Sequence, residues 1–213
     1  MSDIPAAGGV VYVVEDDAAV RDSLALTLSL AGHRTALYAD AETFLAAWRA
    51  DMAGCVISDL RLPGMSGVQL QAVLRERGSE LPFIVVTAHG DVATARQAFL
   101  ADAVDFIEKP FAEAQLMTAV ETALARDAER MRRGVARRGD AERLASLTLR
   151  EHEVLEQAAL GLHAKEIAAR LEISPRTVEV HKTRIMAKLG VRNVAELVRF
   201  ALMTQSGGPE EKG

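Results

Sequence analysis

The sequence predicts an α/β domain on a parallel sheet followed by a small all-α domain, and three observations carry that expectation. From Val10 onward, five short β-rich apolar runs, VVYVVED, RTALYA, GCVISDL, PFIVVTA and AVDFIEK, are separated by four amphipathic stretches. Alternation of this kind suits parallel strands joined by crossover helices. After Ser146 the chain shows four short helical patterns and no strand. The two parts also differ in the sign of their charge. Residues 1–125 hold 8 Lys and Arg against 17 Asp and Glu, whereas residues 126–213 hold 17 against 13. A net of -9 therefore precedes a net of +4, and only the second part suits a polyanion.

The elements are punctuated as this layout requires. Gly32 closes the first helix in a left-handed position, Asp40 caps the second, and Ser66 opens the third. A fifth helix begins near Glu113, with Leu116, Val120 and Leu124 on its apolar side. It then enters RDAERMRRGVARRG, where no face is apolar enough to pack as core, and the five arginines between Arg130 and Arg138 fit a solvated linker. Gly134 and Gly139 predict an interruption in that stretch. Three segments follow: a domain over 1–125, a helical basic linker over 126–145, and a second domain over 146–213.

Several broad classes are disfavoured. The single cysteine, Cys55, lies in an apolar run that suits a small buried residue and leaves no disulfide framework. No run approaches the about 18 apolar residues of a membrane span, and the N-terminus lacks signal-peptide features. A soluble cytoplasmic protein with no membrane partner is the expectation. His33, His89, His152, His163 and His181 form no close pair at metal-ligand spacing, so structural or solvated roles fit them. The absence of a GxxxxGK[ST] phosphate loop disfavours an ATP-driven activator.

Chemistry in an open parallel sheet gathers at the carboxyl ends of its strands. There stand Glu15 and Asp16 after the first strand, Asp59 after the third, Thr87 after the fourth and Lys109 after the fifth, before Pro110. Three converging carboxylates repel each other unless a cation neutralises them, and hard oxygen donors with open positions suit Mg²⁺. Asp59 can then attack a phosphoryl group, with Lys109 neutralising the transferred oxygens and Thr87 donating a hydrogen bond to them.

At this point EDDAAVRDSL, SDLRLPGMSG, VVTAHGD and DFIEKPF make residues 8–125 resemble the receiver domain of the response regulators. The resemblance implies a flavodoxin-like (βα)5 fold with Asp59 as phosphoacceptor. It also implies Mg²⁺ on Asp16, Asp59 and the backbone carbonyl of Arg61, with Glu15 helping through water. The spacing to Arg21 aligns Glu15 and Asp16, rather than Asp16 and Asp17, with the family's acid pair. Thr87 and Phe106 then correspond to the switch pair, and Lys109-Pro110 to the family's cis peptide. Glu15 stands where the family more often has Asp, and Asp102 where it often has glycine. Asp tolerates the left-handed conformation better than most residues.

In the second domain, two helices separated by LEIS form a helix-turn-helix pattern, with Leu149–Leu160 as the packing helix before it. Ser174 and Pro175 predict a helix start, and Gly190 its end after Leu189. At about 100° per residue, Val178, Ile185 and Leu189 share one face, while Arg176, Val180, Thr183 and Ala187 share the opposite one. An outward valine and alanine could meet thymine methyls, and Glu179 and Arg184 could reach base edges or phosphates. His181 could touch a phosphate.

LTLREHEVL, KEIAARL and SPRTVEVHKTRIMAKL make residues 146–205 resemble the LuxR-type domain of the NarL/FixJ family. The resemblance implies DNA-backbone contacts from Lys165, Thr177, Lys182 and Lys188, and dimer contacts from a last helix over residues 193–203. Lys182 projects near the buried edge, so its ammonium would have to snorkel outward. The whole chain thus resembles a transcriptional response regulator with promoter DNA, a sensor histidine kinase and RNA polymerase as partners. It would not be an enzyme beyond assisting phosphoryl transfer to Asp59 and hydrolysis from it. Phosphorylation would favour a homodimer through the receiver's fourth helix and fifth strand. Two rivals are a phosphotransfer protein whose helical domain docks a protein, and a DNA-binding regulator that works without phosphate.

Overall fold

In a computed structural model, residues 9–88 and 102–205 are described. The chain divides into two compact units, Met1–Arg132 and Arg133–Gly213. The first holds a parallel sheet of β1 (Val10–Val14), β2 (Thr35–Tyr38), β3 (Gly54–Asp59), β4 (Phe83–Thr87) and β5 (Asp105–Glu108), in the order β2-β1-β3-β4-β5. Its described helices are α1 (Ala18–Leu30), α2 (Ala41–Ala47), α3 (Gly67–Glu76) and the start of α4 (Glu113–Ala145). The expected helix between β4 and β5, and His89, lie outside the described residues.

The strands read as continuous apolar runs because both faces of the sheet are covered. Successive side chains point to opposite faces. Tyr12, Val14, Val56, Phe83 and Val85 pack on one side with Phe44, Leu70 and Leu74. Val11, Val13, Cys55, Ile57, Ile84, Val86 and Ile107 pack on the other with Leu24, Leu28, Leu116 and Val120. Cys55 is fully buried, and burial pushes its thiol up to about 12, which keeps it from acting as a nucleophile.

The caps fall where the sequence places them. Asp40 accepts from the Thr43 amide at 2.7 Å, and Ser66 forms a reciprocal capping box with Gln69. Gly32 takes φ +85° after α1, and Asp102 takes φ +63° ahead of β5 without a glycine.

One expectation is corrected: α4 runs unbroken from Glu113 to Ala145, through Gly134 and Gly139. Each glycine costs a helix about 1 kcal/mol relative to alanine. The surrounding Arg, Glu and Ala are strong helix formers, and pairs such as Arg143–Asp140 at 3.1 Å and Arg132–Glu129 add local support. The first compact unit also extends past residue 125 to Arg132, because Asp127 and Arg130 are drawn onto it. Arg130 is therefore not part of a solvated linker.

In the second unit, α5 (Leu149–Ala159), α6 (Ala164–Leu171), α7 (Pro175–Leu189) and α8 (Val194–Gln205) enclose Val154, Leu155, Ile167, Val178, Ile185, Leu189 and Leu197. Ser174 caps α7 by accepting from Thr177 at 3.1 Å, Pro175 opens it, and Gly190 ends it at φ +70°. Among the described residues, no helix is long and apolar enough to cross a membrane.

Candidate functional site

β1 lies between β2 and β3 in the sheet, so the strand order reverses there. Such a reversal opens a crevice beyond the carboxyl ends of the strands. Glu15 leaves β1 into that crevice and Asp59 ends β3 beside it. Lys109, which follows β5, reaches across to join them. Its Nζ donates to Glu15 Oε2 at 2.7 Å and to Asp59 Oδ2 at 2.7 Å. The Lys109-Pro110 peptide is cis, and the Lys109 amide donates to the Thr87 carbonyl at 2.7 Å.

The two carboxylates on this ammonium are not equivalent. The Glu15 side chain is 3% exposed, whereas that of Asp59 is 11% exposed. Burial raises the Glu15 carboxyl above its usual range, a shift opposed by Lys109. For Lys109, burial pulls the ammonium down, but its bonds to Asp59 and Glu15 outweigh that and hold it above its ordinary value. Asp59 is thus the more accessible oxygen nucleophile, and its Oδ1 accepts from the Arg61 amide at 2.9 Å.

The three consecutive acids take three different jobs. Glu15 points inward, Asp16 is exposed beside the crevice, and Asp17 caps α1 by accepting from the Ala19 and Val20 amides at 2.8 and 3.1 Å. Arg21 ties this turn together by donating to the Glu15 and Asp16 carbonyls at 2.7 and 3.2 Å. The expected convergence of three carboxylates is met by two. Among the described residues no three His, Cys, Asp or Glu are grouped to hold a metal ion, and the Lys109 ammonium supplies the counter-charge between Glu15 and Asp59. The donor chemistry of Glu15, Asp16, Asp59 and the Arg61 carbonyl, all hard oxygens, nevertheless fits Mg²⁺.

Thr87 is buried at the end of β4, and Phe106 is half-buried on β5, paired in register with Val85. Gly67, which sequence reasoning passed over, abuts the end of β3 at Asp59. A Cβ there would lie 2.2 Å from the Asp59 carbonyl oxygen and 2.8 Å from Ser58 Oγ. Its signal in the sequence was only its place directly after the Ser66 cap.

On α7, Arg176, Glu179, Val180, Thr183, Arg184 and Ala187 are exposed, and Thr177 is half-buried. Lys165 is exposed at the start of α6. Lys182 is 6% exposed, with its Nζ 3.5 Å from Glu179 Oε1, so its stem belongs to the core edge. Lys188, an expected contact to the DNA backbone, is paired within this unit. Its Nζ donates to Glu151 Oε2 at 2.6 Å and to the Ser146 carbonyl at 3.0 Å. Glu151 is buried and also accepts from the Thr148 amide at 2.8 Å in the α5 capping box. The Lys188 bond, and then the Thr148 amide, hold the Glu151 carboxyl down to about 2. Lys188 therefore supports the fold of this unit. Among the described residues, His181 Nδ1 is buried with no hydrogen-bond partner.

Two families match the chain: the response regulator receiver domain over residues 11–121, and the luxR family of bacterial regulatory proteins over residues 145–201. A transcriptional regulatory protein FixJ from Bradyrhizobium diazoefficiens is 43% identical over 195 residues, which cover 91% of this chain and 95% of the relative. The C4-dicarboxylate transport transcriptional regulatory protein DctR of Rhodobacter capsulatus is 42% identical, covering 89% and 98%. Among solved structures, the response regulator StyR is 39% identical with a TM-score of 0.80, covering 92% of this chain and all of that one. Full-length FixJ from B. japonicum is also 39% identical, with a TM-score of 0.57 and coverage of 94% and 98%.

Proposed function

Because this chain belongs to the FixJ-type response regulators, DNA-binding transcriptional regulators that join a receiver domain to a luxR-type domain, we propose that phosphorylation of Asp59 switches its binding to promoter DNA. The observation that carries the proposal is the Lys109 ammonium set between Asp59 and the buried Glu15. It leaves Asp59 as the one of these two carboxylates open to a phosphodonor, with a cation in place for the incoming charge.

The Asp59 carboxylate oxygen attacks the phosphorus of a phosphohistidine on a sensor kinase, and the bond from phosphorus to the leaving nitrogen breaks. Lys109 pairs with the oxygens of the new acyl phosphate, and the Thr87 hydroxyl donates to one of them. Phe106 then repacks with Thr87. Mg²⁺ would be held by Asp16, Asp59 and the Arg61 carbonyl, with Glu15 assisting through water. Bound there, it would neutralise charge on the phosphoryl oxygens. Hydrolysis returns Asp59 to its starting state, and the chain turns over no other substrate.

On DNA, α7 enters the major groove with Arg176, Glu179, Val180, Thr183 and Arg184 toward the bases and adjacent phosphates. Lys165 and Thr177 hold the backbone, and Lys182 contributes through its pairing with Glu179. The phosphorylated chain dimerises on repeated half-sites and contacts RNA polymerase in the cytoplasm.

The test is salt-dependent binding of the full chain to a pool of promoter fragments, with and without a small phosphodonor plus Mg²⁺. Tighter binding to a subset of fragments, lost in Asp59→Asn, is the expected result. Equal binding by Asp59→Asn and phosphorylated wild type would overturn the switch.

A further inference from the structure

Asp127 lies past the last apolar position of α4 expected from the sequence, yet it is 3% exposed. Its Oδ2 accepts from the Gly54 amide at 2.7 Å, and its Oδ1 accepts from Arg130 Nε at 2.8 Å. Arg130 in turn donates through Nη2 to the Met52 carbonyl at 2.7 Å, with its side chain only 15% exposed. A carboxylate and a guanidinium one helical turn apart are thus both withdrawn from water and spent on the segment that leads into β3. Buried ion pairs of this kind are often no more stabilising than apolar packing, but removing one partner leaves an uncompensated buried charge.

The other side of that segment leaves no slack. Gly54 sits at φ +131°, and a Cβ there would fall 1.9 Å from the Val10 carbonyl oxygen. The Val10 amide donates to the Ala53 carbonyl at 3.1 Å. The start of β3 is therefore held by β1 on one flank and by Asp127 from α4. β3 itself is six residues long and ends at Asp59, so the clamp and the phosphoacceptor occupy the two ends of one central strand.

We propose that Asp127 and Arg130 are positioning residues that clamp the emerging part of α4 to the start of β3, and that the state of Asp59 reaches DNA binding only through this clamp. The inference rests on the phosphorylation switch proposed above. Residues 126–132 move with the receiver because of the clamp, and the output begins at Arg133 rather than at Arg126.

The experiment uses the full chain, acetyl phosphate with Mg²⁺, and a promoter fragment on which wild type tightens. Asp127→Ala removes the clamp, and Arg130→Lys keeps the charge while losing the two-nitrogen grip, which guards against a variant that fails to fold. Val120→Ala is the control, a core truncation in the same helix. In the two clamp variants, phosphate uptake at Asp59 stays at the wild-type level while the phosphodonor-dependent gain in DNA affinity falls at least fivefold. Val120→Ala lowers the melting temperature and keeps the gain. Clamp variants that retain the full gain, or that lose phosphate uptake, overturn the proposal, as does a Val120→Ala variant that loses the gain equally. A wild type with no gain at all removes the switch itself, and the clamp's role with it.

Discussion

The Lys109 ammonium pairs with two carboxylates whose exposures differ, and that difference makes their substitutions separable. Asp59→Asn should abolish phosphate uptake from a small phosphodonor, with phosphate-affinity electrophoresis as the measurement. Gly67→Ala acts on the same residue through the backbone. Its methyl would meet the Asp59 carbonyl at 2.2 Å, so β3 or α3 must shift. A misplacement of about 1 Å can cost on the order of a hundredfold in rate. The expected outcome is phosphate uptake slowed by roughly tenfold to a hundredfold on that basis, with stopped-flow fluorescence or mass spectrometry as the measurement.

Glu151 supplies a pH signature in the second unit. Its carboxyl is held down to about 2 by Lys188 and the Thr148 amide. A group depressed on folding stabilises the fold above its unfolded value, near 4.3, and that contribution is lost as pH falls through the folded value. Acid melting of the second unit between about pH 4 and about pH 2 should therefore be partly flattened in Glu151→Gln. Lys188→Ala should lower the melting temperature of this unit while leaving the salt slope of DNA binding unchanged, because its ammonium is spent on Glu151 and Ser146.

Helix α4 carries its glycines without reward. A Cβ at Gly134 or Gly139 would meet open space. Alanine at either position should stabilise the helix locally by about 1 kcal/mol, read as slower amide exchange around residues 130–142. The α7 start behaves in the opposite sense. Ser174 satisfies the Thr177 amide, and Ser174→Ala should cost about 1 kcal/mol by urea unfolding of the second unit.

At the scale of the molecule, the boundary of the first unit decides where the chain can be cut. A fragment ending at Arg132 retains Asp127 and Arg130, whereas one ending at residue 125 removes the carboxylate that the Gly54 amide donates to. The shorter fragment should melt several degrees lower by calorimetry, since an unsatisfied buried donor costs about 1–3 kcal/mol. The net positive charge lies in residues 126–213 and the luxR match covers residues 145–201, so salt dependence of DNA binding should follow the second unit.

Much of this organisation is local in origin and was legible from residue order. The strands, the caps Asp40, Ser66 and Ser174, the closing Gly32 and Gly190, and the acids at strand ends all follow from periodicity and backbone preference acting over a few residues. Relations between residues far apart in the chain are another matter, because charge pairing depends on which groups share a low-dielectric neighbourhood. Lys109 bridging Glu15 and Asp59 across 94 and 50 positions was visible as a set of candidates, but not as two carboxylates on one ammonium. Lys188, which the family resemblance implied as a contact to the DNA backbone, also pairs with Glu151, 37 positions earlier. Asp127 and Arg130 read as solvated charges in a basic linker, since nothing within a helical turn announces that the Gly54 amide lies 73 positions away needing an acceptor. By itself, residue order determined the elements and their chemistry. Only tertiary packing, by deciding which polar groups leave water together, determined which charges work in pairs and which remain free for phosphate and DNA.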